Sequence, residues 1–250
     1  MASGWSRDAR VEGSQRRSRG VSGIARAGFL VMVAGILMTT GCARVPDEAA
    51  GPLVRRTLTV DFTVAGRINP LYYYYIALDT GGNPVEGPVP VVAFPWGNGW
   101  GTGKITHFVL YHLGTFGVFR FVPGTDLLQA DALGTPFDFN RPEDAPGNRI
   151  RVTLDVDATL GQDVNVVNLN IIATDRINIE PTSLETKVVD ALGFTGNQFL
   201  TLPLDIPQTF TNAQLTEPEQ GGDVPPALQP GVEEEDLDII DWSAEVKINQ

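Results

Sequence analysis

From Thr57 onward every second side chain is apolar: Leu58, Val60, Phe62 and Val64 alternate with Thr57, Thr59, Asp61 and Thr63. Successive residues of a strand point to opposite faces, so a period of two predicts a strand with one face in a core and the other in water. The pattern returns at Ile150, Val152, Leu154 and Val156, and at Val167, Leu169, Ile171 and Ala173, where Asn168 and Asn170 intervene. It returns once more at Trp242, Ala244, Val246 and Ile248, close to the end of the chain. With no long amphipathic helix to cover them, such strands must bury their apolar faces against one another, which means stacked sheets.

The remaining segments fill in that picture. Tyr72–Leu78 carries aromatics on both faces, as a central strand would. Val89–Phe94 and Ile105–Leu113 are apolar β-runs on either side of a glycine loop, and Leu113-Gly114-Thr115 predicts a hairpin turn into Phe116–Val122. The stretch 149–157 reads as one strand throughout, whereas Phe199–Ile206 contains Pro203, which argues for a sheet edge. Residues 123–148, with Pro123, Pro136, Pro142 and Pro146, read as loop. Residues 213–236, rich in proline and glycine and ending in the acid run Glu233–Asp236, read as a loosely attached excursion before the last strand. The expectation is an all-β antiparallel sandwich of about nine strands, a single domain over 56–250.

Residues before this domain have another character. An apolar stretch from Ala27 to Gly41 follows Arg16, Arg17, Arg19 and Arg26 and carries no charge. It is short against the roughly 20 residues that a membrane-spanning helix needs, and suits the apolar core of a secretory signal. It ends at Thr39-Thr40-Gly41-Cys42, and Cys42 is the only cysteine of the chain. This constellation resembles the processing site of a bacterial lipoprotein. The resemblance implies a signal peptide over 1–41, lipid on Cys42 as the first mature residue, a flexible tether over 42–55, and a place on the extracytoplasmic side of the cell membrane or outer membrane. A retained single membrane helix is the alternative. Several acyl chains give stable anchoring where one is marginal.

Residues 1–41 contain six arginines, one aspartate and one glutamate, so cleavage there would take the net charge from −12 to −16. A surface so acidic repels phosphate backbones, and nucleic acid is excluded as a partner. A lone cysteine leaves no disulfide, so stability must come from the core. Beyond residue 41 the only serines are Ser183 and Ser243, neither in a Gly-x-Ser-x-Gly elbow. His107 and His112 are five apart on one predicted strand, on opposite faces, and cannot share a metal through it.

Three places could carry chemistry. The segment Pro95-Trp96-Gly97-Asn98-Gly99-Trp100-Gly101-Thr102-Gly103 sets two indoles among glycines, with few other side chains to cover them. Exposed, Trp96 and Trp100 could stack on a sugar ring or anchor a protein partner; folded back, they would close the end of the sandwich. Asp79 and Asn83, with Gly81 and Gly82 between them, could offer oxygen ligands to Ca²⁺, though an Asx-type turn uses the same residues with no ion. Asp155 and Asp157, two strand rises apart, have the spacing of an acid/base pair, and equally that of a solvated strand face. No catalytic residue is assigned and no enzyme is expected.

Tyr72–Thr80 (YYYYIALDT), Arg149–Asp157, Val166–Asp175 (VVNLNIIATD) and Val189–Gly193 (VDALG) together resemble a DOMON/family-9 carbohydrate-binding-type β-sandwich over about residues 56–206. Members of that group bind sugars or haem. No Met/His pair suited to haem is evident here, since every methionine lies within residues 1–38. The resulting expectation is a lipid-anchored binding lipoprotein with carbohydrate as the leading ligand and no cofactor beyond a possible Ca²⁺. The alternative is a structural or assembly lipoprotein that binds another cell-envelope protein.

Overall fold

A computed structural model describes residues 55–144, 147–177, 187–216, 224 and 230–249. Cys42, the leader and most of the tether lie outside the described residues. The described chain forms fourteen strands and two single-turn helices. The strands are β1 (Arg55–Val64), β2 (Tyr73–Asp79), β3 (Pro88–Pro90), β4 (Gly101–Gly103), β5 (His107–His112), β6 (Thr115–Phe121) and β7 (Ala130–Gly134). There follow β8 (Asp138–Phe139), β9 (Arg149–Asp155), α1 (Val156–Thr159), β10 (Val166–Thr174), β11 (Val189–Ala191), β12 (Leu200–Pro203) and β13 (Gln208–Thr211). A 3₁₀ turn (Glu234–Asp236) precedes β14 (Ile239–Asn249).

Two antiparallel sheets, neither closed into a barrel, build the sandwich. The first runs β13-β14-β1-β9-β8; the second runs β10-β2-β5-β6-β7, with β11 and β12 both pairing to β10. Register turns the sequence alternation into rows. Leu58 lies between Leu154 and Val246, Val60 between Val152 and Ala244, and Phe62 between Ile150 and Trp242. All nine are at most 2% exposed and meet the inner residues of the second sheet, among them Tyr74, Ile76, Leu78, Val109, Val118, Leu169 and Ile171. At roughly 1.5–3 kcal/mol per buried large apolar side chain, this shared cluster is the main source of stability.

The final strand does return to the sheet, and it sits between β13 and β1, not at an edge. The tyrosine strand β2 is central, flanked by β10 and β5. The β5–β6 hairpin turns on Leu113 (φ 51°) and Gly114 (φ 74°), both left-handed as a type I′ turn demands. β12, with Pro203, pairs on one side only.

Several expectations need correction. The stretch 123–148 is not all loop: β7 extends the second sheet and β8 the first. The predicted strand Val89–Phe94 shrinks to Pro88–Pro90, because prolines limit its pairing and Val92 and Phe94 stand exposed. Arg55, assigned to the tether, opens β1 and pairs with Asp155. The acid run is docked, not loose. Gly66 N–H donates to Glu235 O and Tyr74 Oη–H to Asp236 O, while Tyr72 Oη accepts from Glu233 N–H. Two tyrosines of the aromatic strand region thus reach across and hold this segment by its backbone.

Asn168 and Asn170 do not face water, as their alternation suggested. Both are fully buried on the outer face of the second sheet. Residues 80–106, which carry the β3–β4 ribbon, fold over that face. Asn168 Nδ2 donates to the carbonyls of Asn83 (2.8 Å) and Glu86 (2.7 Å), and Asn170 Nδ2 donates to that of Pro88 (2.9 Å). Under the cover lies a second apolar cluster that includes Tyr75, Ala77, Trp100, Ile105, Phe108 and Ile172.

Candidate functional site

A cleft of about 460 Å³ opens at the end of the second sheet where β2 finishes, β5 begins and β6 ends. That volume lies within the range of small-molecule sites, roughly 300–1,000 Å³. Lys104, Thr106, His107, Arg120, Phe121 and Asp126 line it, with Asp79 at its back.

The hairpin places the two central groups. Counting back from its two-residue turn, His112 pairs with Thr115, Tyr111 with Phe116, and finally His107 with Arg120. Directly paired residues share a face with Cβ atoms about 5 Å apart. Burial lowers the His107 pKa to about 4, and the neighbouring Arg120 guanidinium adds to the effect, so the imidazole is neutral at physiological pH. Its Nδ1 lies 3.0 Å from Thr106 Oγ1. That hydroxyl donates to Leu78 O and accepts from Thr80 N–H. Placing the Thr106 proton on Leu78 O makes that hydroxyl the acceptor from His107 and puts the imidazole hydrogen on Nδ1. Nε2 is then a lone-pair acceptor, and it has no hydrogen-bond partner among the described residues.

The opposite wall is the turn after β6. Asp126 (φ 49°) and Leu127 (φ 61°) both occupy the left-handed region, which costs a non-glycine residue on the order of 1–3 kcal/mol. Val122 N–H to Gln129 O and Leu128 N–H to Thr125 O close the turn, and Leu127 packs on the second cluster. These contacts hold the Asp126 backbone at the rim of the cleft.

Of the candidate residues singled out from sequence, Asp79 alone lines this cleft. Trp96 and Trp100 are 8% and 4% exposed, so the expectation of uncovered rings is corrected. Trp100 stacks on Tyr75 with centroids 3.9 Å apart and planes at 4°, and it also meets Phe108 and Phe121. The glycines around it serve close approach: a Cβ on Gly99 (φ +87°) would lie 2.1 Å from Ile177 O. Trp96 packs with Val91, and its Nε1–H is buried without a hydrogen-bond partner among the described residues, as is Asn98 Nδ2. Lys187, 6% exposed, donates to Gly99 O at 2.5 Å and lies 5.9 Å from the Trp96 ring. Burial lowers its pKa to about 7 against the opposing pull of Asp175.

Asp79 and Asn83 are committed to turn and clamp bonds. Asp79 Oδ1 accepts from Gly81 N–H and Oδ2 from Asn168 Nδ2, while Asn83 Oδ1 accepts from Val85 N–H. Among the described residues no three His, Cys, Asp or Glu side chains group as a metal site. Asp155 and Asp157 do not share a strand face: β9 stops at Asp155, which caps α1 through Ala158 N–H, and Asp157 lies within that helix. Each has its own arginine, Arg55 for Asp155 and Arg56 for Asp157. His107 and His112 do lie on opposite faces; His112 stacks on Tyr73.

Of the cleft residues, Asp79 and His107 were singled out from sequence in other roles, whereas Lys104, Arg120 and Asp126 escaped it, although the signal was present. Once the turn is put at Leu113-Gly114, counting outward pairs His107 with Arg120. No known protein family, curated protein or solved structure matches this chain.

Proposed function

We propose that this chain is a lipid-anchored extracytoplasmic binding protein whose sandwich takes a small polar ligand, with carbohydrate the leading class, in the cleft at the end of the second sheet. One observation carries the reading: two cationic side chains and a neutral imidazole with an open acceptor converge on a concave wall. Few, fixed polar groups beside apolar Phe121 suit binding. The carboxylates considered for acid/base work are held by arginines elsewhere, which favours binding over turnover. The resemblance to carbohydrate-binding sandwiches points the same way. Calorimetric titration of the detergent-solubilised full chain with a glycan panel tests it: saturable binding that Arg120→Gln weakens supports the reading, and no heat with any glycan removes it. The anchor has its own test, since Cys42→Ser should release the protein from the membrane fraction.

A second reading, assembly with another envelope protein, is favoured by β7. Every one of its five residues is exposed, and it forms the edge of the second sheet. An extended partner segment could add there as a further strand. Stoichiometric crosslinking of one envelope protein through residues 130–134 would support it.

A further inference from the structure

We infer that the cleft selects a ligand carrying a carboxylate together with hydroxyl groups, a sugar acid, with Arg120 and Lys104 meeting the carboxylate and His107 Nε2 accepting a hydroxyl proton. The inference rests on the reading of the cleft as the ligand site and names the class of ligand it takes.

The donor and acceptor inventory of the wall leads there. Arg120 has one ion-pair contact, a single 3.5 Å approach to Asp131 with both side chains more than half exposed. Most of its five N–H donors are therefore open, in the planar fork that matches a carboxylate. Lys104 is exposed and makes no ion pair among the described residues. Facing these cations, Asp79 has both oxygens engaged by Gly81 N–H and Asn168 Nδ2. Asp126 is the one other carboxylate of the lining, and it can accept from ligand hydroxyls. The lining holds two cations and two carboxylates, so an anion would be met by the spare donors of Arg120 and Lys104 and not by a net positive charge.

The imidazole adds the second requirement. With the Thr106 proton placed on Leu78 O and the imidazole hydrogen on Nδ1, Nε2 presents a lone pair, which a carboxylate cannot satisfy and a hydroxyl can. His107 and Arg120 are directly paired across the hairpin, so the carboxylate and the hydroxyl must lie close together on the ligand. A uronic acid has both groups on one ring. Glucose lacks the first, acetate lacks the second, and inorganic phosphate brings charge without a neighbouring hydroxyl donor on carbon.

The test titrates the full chain in detergent micelles with D-glucuronate, D-galacturonate, D-glucose, acetate and phosphate, read by calorimetry. A sugar acid should bind at least about tenfold more tightly than glucose, acetate or phosphate, the size expected of one charge-assisted bidentate contact. Arg120→Gln should close the gap between sugar acid and glucose. His107→Gln, checked for folding by circular dichroism, should close the gap between sugar acid and acetate. Equal or tighter binding of glucose would overturn the sugar-acid assignment while leaving the cleft as a glycan site. Equal binding of acetate or phosphate would reduce it to a plain anion site. Unchanged affinity in Arg120→Gln would move the ligand elsewhere, and no binding of any compound would remove both readings.

Discussion

The two sheets share one core but treat their outer faces in opposite ways. On the first sheet the outward rows are Thr57 with Asp155 and Lys247, Thr59 with Thr153 and Glu245, and Asp61 with Arg151 and Ser243. Thr57, Thr59 and Asp61 in the middle row are each at most 9% exposed, and half-exposed Arg149, Arg151 and Lys247 with short hydrogen bonds suffice to cover them, such as Thr59 Oγ1 to Thr153 Oγ1 at 2.9 Å. On the second sheet the outward positions are Tyr75, Ala77, Phe108 and Ile172, which water would not cover. Residues 80–106 fold over them as a third layer, tied down by Asn168 and Asn170. The difference teaches that an alternating strand announces two faces without saying what lies against each. Where both faces are apolar, the chain needs a cover, and the polar residues among them hold it.

Removing the centre of the cover should give the largest effect. Trp100→Ala takes away the ring stacked on Tyr75 and should cost about 3–5 kcal/mol in urea unfolding. Lys247→Ala on the bare face should stay within about 0.5 kcal/mol. A cost below about 1 kcal/mol for Trp100→Ala would mean that the cover does not fold with the sandwich, and the contrast would fail.

Next comes pH, which acts on the covered face through Lys187. Its folded pKa of about 7 lies below the ordinary lysine value of 10.5, so between these values the unfolded chain binds a proton that the native one does not. Stability should therefore rise with pH across that window, by roughly 3 kcal/mol from pH 7 to pH 10. Lys187→Met should flatten the rise in unfolding free energy measured over that range. An unchanged slope in the variant would show that the amine is not held neutral against Gly99 O.

Smaller again is the loss of one clamp. Asn168→Ala removes the side-chain donor from the carbonyls of Asn83, which keeps Glu86 N–H, and Glu86, and Asn170→Ala removes that of Pro88, each costing about 1–3 kcal/mol. Hydrogen exchange should quicken in residues 83–91 and stay slow in β1 and β14. Uniform quickening throughout would mean that the asparagines stabilise the whole sandwich and not the cover alone.

These contrasts also mark how far the sequence could be read. The alternating strands were plain, since Leu58–Val64 and Trp242–Ile248 alternate without interruption, and the Leu113-Gly114 turn carried its own left-handed signal. The cover was not legible, because its anchoring residues obey no period: Trp96 and Trp100 look alike whether exposed or stacked, and β3 is bounded by two prolines. Asn168 and Asn170 occupy the alternate positions that a solvated strand would fill with polar side chains, and nothing local distinguishes a buried amide from a wet one. The cleft depends on His107 and Arg120, thirteen positions apart in the chain. They become neighbours only through hairpin register, a relation that residue-by-residue reading does not supply.

The smallest effect should be on the bare face, at the Asp61–Arg149 ion pair. Two considerations pull in different directions. Asp61 is well covered, its side chain 12% exposed, which would strengthen the attraction; Arg149 is 52% exposed and Arg151, the other nearby cation, 51%. Solvent around the arginines screens the pair, and holding a long side chain in one geometry costs entropy, so the exposed partners should decide the outcome. A double-mutant cycle of Asp61→Asn and Arg149→Gln should then give a coupling below about 1 kcal/mol, and it should shrink as salt is raised. A coupling above about 2 kcal/mol, insensitive to salt, would mean that this face is shielded from water after all, and the contrast between the two sheets would have to be redrawn.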